Sequence, residues 1–183
     1  MIKYLVHKAM EWCERRGKIQ KITGSTIVDK DDIYLVRYVL FASKWFSIYL
    51  HQFLRSDRDT YHDHPWSFST YVVSGAYTEH KPKVVAQFCG RDVVDWKQDT
   101  LFFRSIVQNR FVNRQSTDFH WVEIQGNYTY EERWNAPTTI CLIGKRTKTW
   151  GFIDPNTGEK IFWKKFLNIP YENEDFEPTR KTV

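Results

Sequence analysis

The sequence predicts an all-β chain, a sandwich or barrel of short strands, with one α-helix at its N-terminus. Three observations carry this expectation. After Gly24, apolar runs of five to nine residues succeed one another, rich in β-branched and aromatic side chains, the composition that suits pleated, half-buried surfaces. The breaks between them are short and carry turn chemistry at Pro82, Gly90, Gln98–Asp99, Gly126–Asn127 and the Asp154-Pro155-Asn156-Thr157-Gly158 stretch; there Pro presets φ and Gly accepts a positive φ. Helical periodicity is confined to the start of the chain, so strands must build the core.

Taken in order, the first segment places Ile2, Leu5, Val6, Ala9, Met10 and Cys13 at spacings of three and four, one apolar stripe on a helix. Gly17 is its natural stop. Residues 33–41 (IYLVRYVLF) and 46–54 (FSIYLHQFL) flank a four-residue break and read as a hairpin. Strands are then expected in SFSTYVVSG, GAYTEH, KVVAQFC, DVVDW, TLFFRSIV, HWVEIQ, TTICLIG, TWGFID and KIFWKKF. The organisation expected is a helix and linker over 1–24, a β-barrel over 25–170 and a polar tail over 171–183. At 183 residues the chain is long enough for a self-sufficient core.

Composition narrows the function classes. Lys and Arg number 27 against 22 Asp and Glu, a net charge of +5, but the surplus is spread along the chain rather than clustered. A spread surplus is compatible with an anionic ligand or nucleic acid but more often means a soluble basic surface, so nucleic acid is not the expected partner. Cys13, Cys89 and Cys141 are scattered and odd in number, which speaks against a disulfide framework and for a reducing compartment. The N-terminus carries charges throughout, unlike a secretory leader, and no run approaches the length of a membrane helix. The expected location is the cytoplasm.

Two of the six histidines, His62 and His64, fall within three positions of each other in YHDHPWSF. On an extended segment, i and i+2 side chains share a face, and two neutral imidazoles on one face suit a borderline divalent metal. A third ligand is required, and His120, opening the HWVEIQ strand after a polar break, is the best placed. His51 and His80 remain alternatives, while His7 belongs to the helix. Asp63, between the pair, is expected to face away, toward solvent or in support of an imidazole. Trp66, Trp150, Phe152 and Trp163 suit the core or, alternatively, a pocket wall. Cys141, within TTICLIG, reads as a small core residue.

The stretch HDHPWSFSTYVVSGAY resembles the first metal motif of the cupin superfamily, in which two histidines one residue apart are followed by a glycine after ten intervening residues. His62, His64 and Gly75 match that spacing. The segments YTE and LIGKRTKTWGFIDPNTGEKIFWKKF also resemble a subgroup of uncharacterised bacterial and phage cupin-like proteins, and the likeness spans residues 33–168. The resemblance implies a double-sheet jelly-roll barrel, often a homodimer through edge strands, with a metal held by His62, His64 and His120. Fe(II) is the ion expected, with Zn(II), Ni(II) or Mn(II) as alternatives. The chain departs from the family where a glutamate usually follows the second histidine, since Phe68 and Ser69 stand there. Glu79, Glu123 or Asp63 remain as sources of a carboxylate.

A three-histidine face retains the full charge of its metal and leaves positions open, which favours an anionic ligand. Such a face resembles that of thiol dioxygenases and some other cupin dioxygenases, and the resemblance implies a metal-dependent, iron-type oxygenase acting on a small anionic molecule. Tyr71 and Tyr77, near the motif, are candidate hydrogen-bond donors or acids, and Arg104 or Arg114 a clamp for a substrate anion. Two other functions fit the same chain. One is a metal-independent sugar-nucleotide epimerase or isomerase using a histidine base and a tyrosine acid; the other is a non-catalytic ligand-binding or phage accessory protein.

Overall fold

A computed structural model describes residues 1–23, 33–57, 60–88, 91–95 and 102–168, with the side chains of 83–88, 91–95, 102–105 and 107 lying outside that description. Helix α1 (Ile2–Arg15) buries Val6, Met10 and Cys13, whereas Ile2 and Leu5 stand exposed. The docked stripe is thus narrower than the sequence pattern, because only the later turns lie over the sheet. Gly17, at φ +63°, takes the chain away from the helix end.

The strands are β1 (Ile19–Thr23), β2 (Ile33–Ala42), β3 (Ser47–Phe53), β4 (Phe68–Ser74), β5 (Ala76–Lys81), β6 (Lys83–Phe88), β7 (Arg91–Asp95), β8 (Phe102–Val107), β9 (Phe111–Arg114), β10 (Trp121–Glu123), β11 (Thr138–Ile143), β12 (Gly151–Ile153) and β13 (Lys160–Phe162), followed by a single helical turn, α2 (Trp163–Phe166). Three differences from the sequence expectation stand out. The supposed linker contains β1, an edge strand paired with β2. Phe111–Arg114 forms a strand that pairs with β4, although its polar alternation hid it. The WKKF end of the last predicted strand turns helical. The polar tail beyond residue 168 and Cys89 lie outside the described residues.

One sheet runs β1-β2-β3-β11-β4-β9 and a second runs β10-β5-β8. The chain passes between the two sheets at β4–β5, β8–β9, β9–β10 and β10–β11, the alternation of a jelly roll. Gly75 alone joins β4 to β5. Its φ is +74°, and an added Cβ would lie 2.9 Å from the Pro137 Cα, so a side chain is excluded by both conformation and space.

Strand alternation sorts the large sheet into two faces. Val36, Tyr38, Leu50, Leu54 and Val73 pack outward with Val6, Met10 and Cys13 of α1. Leu35, Arg37, His51, Phe53, Phe68, Thr70, Thr139 and Cys141 point the other way, into the space between the sheets. The outer core also holds Gln52, whose Oε1 accepts a 2.7 Å bond from the Tyr38 hydroxyl.

Candidate metal centre

The segment bearing the paired histidines crosses the mouth of the sandwich. His62 and His120 exchange backbone hydrogen bonds of 3.0 Å in both directions, and His62 also bridges to Phe152. Tyr61 and Asp63 extend this pairing, with Ile153 N donating to Tyr61 O and Asp63 N to Gly151 O. A short three-strand lattice therefore sets the positions of His62 and His120, while His64 follows on the same side, as the i, i+2 spacing predicts.

The ligand nitrogens of His62, His64 and His120 all lie within 4.8 Å of one another. His64 Nε2 and His120 Nε2 are 2.8 Å apart. Two imidazoles bound to one ion at about 2.1 Å place their nitrogens roughly 3 Å apart, so the donor set fits a metal with little rearrangement.

Behind His120 stands a carboxylate. His120 Nδ1–H donates to Glu79 Oε1 at 2.7 Å, and Arg114 pairs with the same Glu79 through its guanidinium. All three residues are buried. This bond assigns the proton of His120 to Nδ1 and leaves the Nε2 lone pair aimed at the centre, with His64 Nε2–H as its donor in the metal-free protein. Glu79, one of the three carboxylates open from the sequence, thus acts through a histidine. The place of a direct carboxylate ligand is taken by Phe68, whose ring centroid is 4.8 Å from that of His64 and 6.1 Å from that of His120.

Asp63 takes neither of the roles expected of it. It is buried, accepts from Gly151 N at 2.9 Å and Lys160 Nζ at 2.7 Å, and pairs with Lys148. Its carboxylate ties the histidine segment to the 148–160 region. Glu123 is also used elsewhere, in a 2.8 Å contact with His80 Nε2, while the His80 ring stacks on Trp121.

The imidazoles are held neutral. Desolvation, reinforced by neighbouring histidines and by Arg37 or Arg114, pushes His64 and His120 well below the usual histidine range, and burial lowers His62. Neutral nitrogen is the form that binds metal. His51, also deep in the fold, is lowered first by burial and then by Arg37, whose Nε donates to His51 Nε2 at 3.1 Å. It is a partner of arginine rather than a fourth member of the cluster.

The histidines join two spaces. An inner chamber of about 110 Å³ lies between the sheets, lined by Phe53, Phe68, Thr70, Tyr77, Val112 and Val122 among others. An outer cleft of about 640 Å³ is walled by Trp66, Trp150, Phe152 and Trp163, which realises the pocket-wall alternative for these aromatics. His62, His64, Tyr34, Arg37, Asp57 and Trp66 line both. Cys141 lines the chamber too; burial pushes its thiol up to about 11, so it stays protonated.

Tyr77 faces the chamber, buried against Phe53. Tyr71 does not: the alternation of β4 turns it to the helix-bearing face, where its hydroxyl donates to Asn109 Oδ1 at 2.9 Å. Arg104 lies opposite Glu79 in the β5–β8 register, and its side chain is outside the described residues. Arg114 is committed to Glu79. The arginine lining both spaces is Arg37, which sequence reasoning missed. The available signal was its place between Val36 and Tyr38, a cation on the inward side of an otherwise apolar strand.

The fold and site together define an all-β jelly-roll sandwich that holds a three-histidine cluster at the junction of chamber and cleft. No family model matches the chain, and no curated protein matches it. Among solved structures, the Fe(II) form of HppE is similar over 68% of this chain and 55% of that one, at 11% identity and a TM-score of 0.44. The DMSP lyase DddQ from Ruegeria pomeroyi DSS-3 is similar over 74% of this chain and 59% of that one, at 15% identity and a TM-score of 0.47. A cupin-2 domain protein from Rhodospirillum rubrum covers 71% of each chain at 10% identity and a TM-score of 0.46. This chain thus spans little more than half the length of HppE. Identities of 10–15% leave its function to be read from its own site.

Proposed function

We propose that the protein binds one divalent metal ion through His62, His64 and His120 and uses it to oxygenate a small anionic molecule. One observation supports this above the others: three neutral imidazoles converge within 4.8 Å, and Glu79 orients one of them from behind. A set of nitrogen donors without carboxylate suits Fe(II), Zn(II), Ni(II) or Mn(II); we assign iron as the working ion. When bound, it supplies Lewis acidity at an open face and a centre for dioxygen chemistry.

The chain's own residues supply the rest. Glu79 and Arg114 fix the His120 ring, so its lone pair needs no reorientation when the ion arrives. Phe53, Phe68, Val112 and Val122 give the chamber an apolar wall facing its polar groups. Tyr77 stands with Thr70 and Thr139 among the hydroxyl-bearing residues that line the chamber. Tyr34 lies at the junction with its pKa pushed up to about 12 by burial, and so serves as a neutral donor.

Metal content tests this directly. Protein reconstituted anaerobically with Fe(II) should hold one equivalent, and His64→Ala should weaken that binding by more than about 100-fold, beyond the range of outer-shell changes. Oxygen uptake should appear when a panel of small anions is added to the iron form. Sub-stoichiometric binding of Fe(II), Zn(II), Ni(II) and Mn(II) alike would sink the metal site. Full iron occupancy with no oxygen uptake would sink the oxygenase and leave the site standing.

A further inference from the structure

The outer cleft has a chemistry of its own. Its volume of about 640 Å³ falls within the roughly 300–1,000 Å³ of sites that take a small organic molecule. The inner chamber, at about 110 Å³, is too small for such a body. A ligand of ordinary size therefore lies in the cleft and brings only one end to the junction with the histidines.

The junction carries an arginine without a described counter-ion. Arg37 donates Nε to neutral His51, reaches Gln20 Oε1 from Nη1 at 3.4 Å, and lies over the Tyr49 ring at 5.0 Å. None of these partners is an anion, and among the described residues no carboxylate pairs with it. Among the described residues, the charged side chains lining the cleft are Lys21, Arg37, Arg55 and Asp57. Asp57 accepts a backbone bond from Val122 N at 2.9 Å through Oδ2. Arg37 lines both the chamber and the cleft together with His62 and His64, which puts its charge beside the metal ligands.

The walls of the cleft are flat. Trp150 stacks on Trp163 at 5.4 Å with planes 10° apart, and lies nearly parallel to the His64 ring at 6.4 Å and 13°. Trp66 completes the aromatic lining at the junction. Indole faces favour a planar apolar partner over a flexible polar one.

We propose that the cleft binds an aryl carboxylate, its carboxylate held by Arg37 beside His62 and His64 and its ring body set among Trp66, Trp150 and Trp163. A single guanidinium at the junction matches the planar, two-oxygen carboxylate. The proposal deepens the metal-enzyme reading by naming its substrate class, and rests on it only for which end of the molecule reacts; binding itself needs no metal.

The test uses the full chain, with and without metal, and follows quenching of tryptophan fluorescence and calorimetry with 2-naphthoate, 2-naphthamide and 2-naphthyl phosphate. In the metal-free protein, naphthoate should bind about tenfold or more tighter than the amide, the scale of one charged hydrogen-bonded contact. Arg37→Met should abolish that preference, while Arg37→Lys should retain part of it. Trp163→Ala should weaken naphthoate and naphthamide alike. Equal binding of acid and amide by the wild type, a preference that survives in Arg37→Met, or tighter binding of the phosphate overturns the proposal. If Arg37→Met does not fold, an undiminished preference in Arg37→Lys overturns it. A preference that appears only with metal bound, equally in wild type and Arg37→Met, makes the metal the anchor and also overturns it. Carboxylate selectivity in a protein that holds no metal would sink the metal reading alone.

Discussion

The two faces of the large sheet share strands and differ in what they do. On β3, Leu50 and Gln52 look toward α1 while His51 and Phe53 look toward the chamber. On β2, Val36 and Tyr38 meet the helix while Arg37 faces the site. The helix-bearing face is mostly apolar, with the Tyr38 hydroxyl donating to Gln52 Oε1 within it. The chamber face carries Arg37 bonded to His51. It looks across the chamber and its mouth to a second bonded set, in which Arg114 of β9 and His120 meet Glu79 of β5 and His120 meets His64. Burying such groups costs stability even when they are satisfied. One side of the sheet therefore supplies stability that the other side spends on chemistry.

The largest expected effect on this contrast comes from the helix side. Leu50→Ala removes a fully buried side chain from the α1 core, and we expect a loss of about 2–5 kcal/mol in urea unfolding. Metal stoichiometry should stay unchanged, because Leu50 points away from the site. If the substitution also empties the metal site, the two faces are not independent.

Glu79→Gln acts on the other side. It keeps the volume but weakens the hold on His120 Nδ1–H and removes the counter-charge of buried Arg114. Metal affinity should fall by about 10–100-fold, read by chelator competition with the metal-loaded protein. An unchanged affinity would mean that the carboxylate serves only Arg114.

The smallest effect is on pH dependence. His51, His62, His64 and His120 are held below the usual value near 6.5 when folded, chiefly by burial. Below that value the unfolded chain takes up protons that the folded chain refuses. Stability of the metal-free protein should be fully present above pH about 6.5 and decline as pH falls toward the depressed folded values. Urea midpoints measured between pH 8 and pH 5 should show this decline. A flat profile would indicate that the chamber admits protonated histidine.

Much of this was legible in the chain itself. The period-2 pattern of YLVRYVLF and SIYLHQF separates the two faces residue by residue, and the His62, His64 and Gly75 spacing points to a metal motif. The strand at Phe111–Arg114 escaped because its two inward residues, Val112 and Arg114, give too short a pattern. Tyr71 shows the limit of nearness in sequence: it lies close to the motif yet on the wrong side of its strand.

By itself the sequence determined the β class, the N-terminal helix, the alternation of faces and the identity of the histidines that could meet, since each of these depends on local periodicity and residue chemistry. Only the tertiary structure decided that Glu79 stands behind His120, that Phe68 packs against the His64 ring, that Lys148 and Lys160 neutralise Asp63, and that Arg37 meets His51. Each of these joins residues from different strands or loops, and sheet register, rather than spacing along the chain, sets which side chains meet across a sandwich.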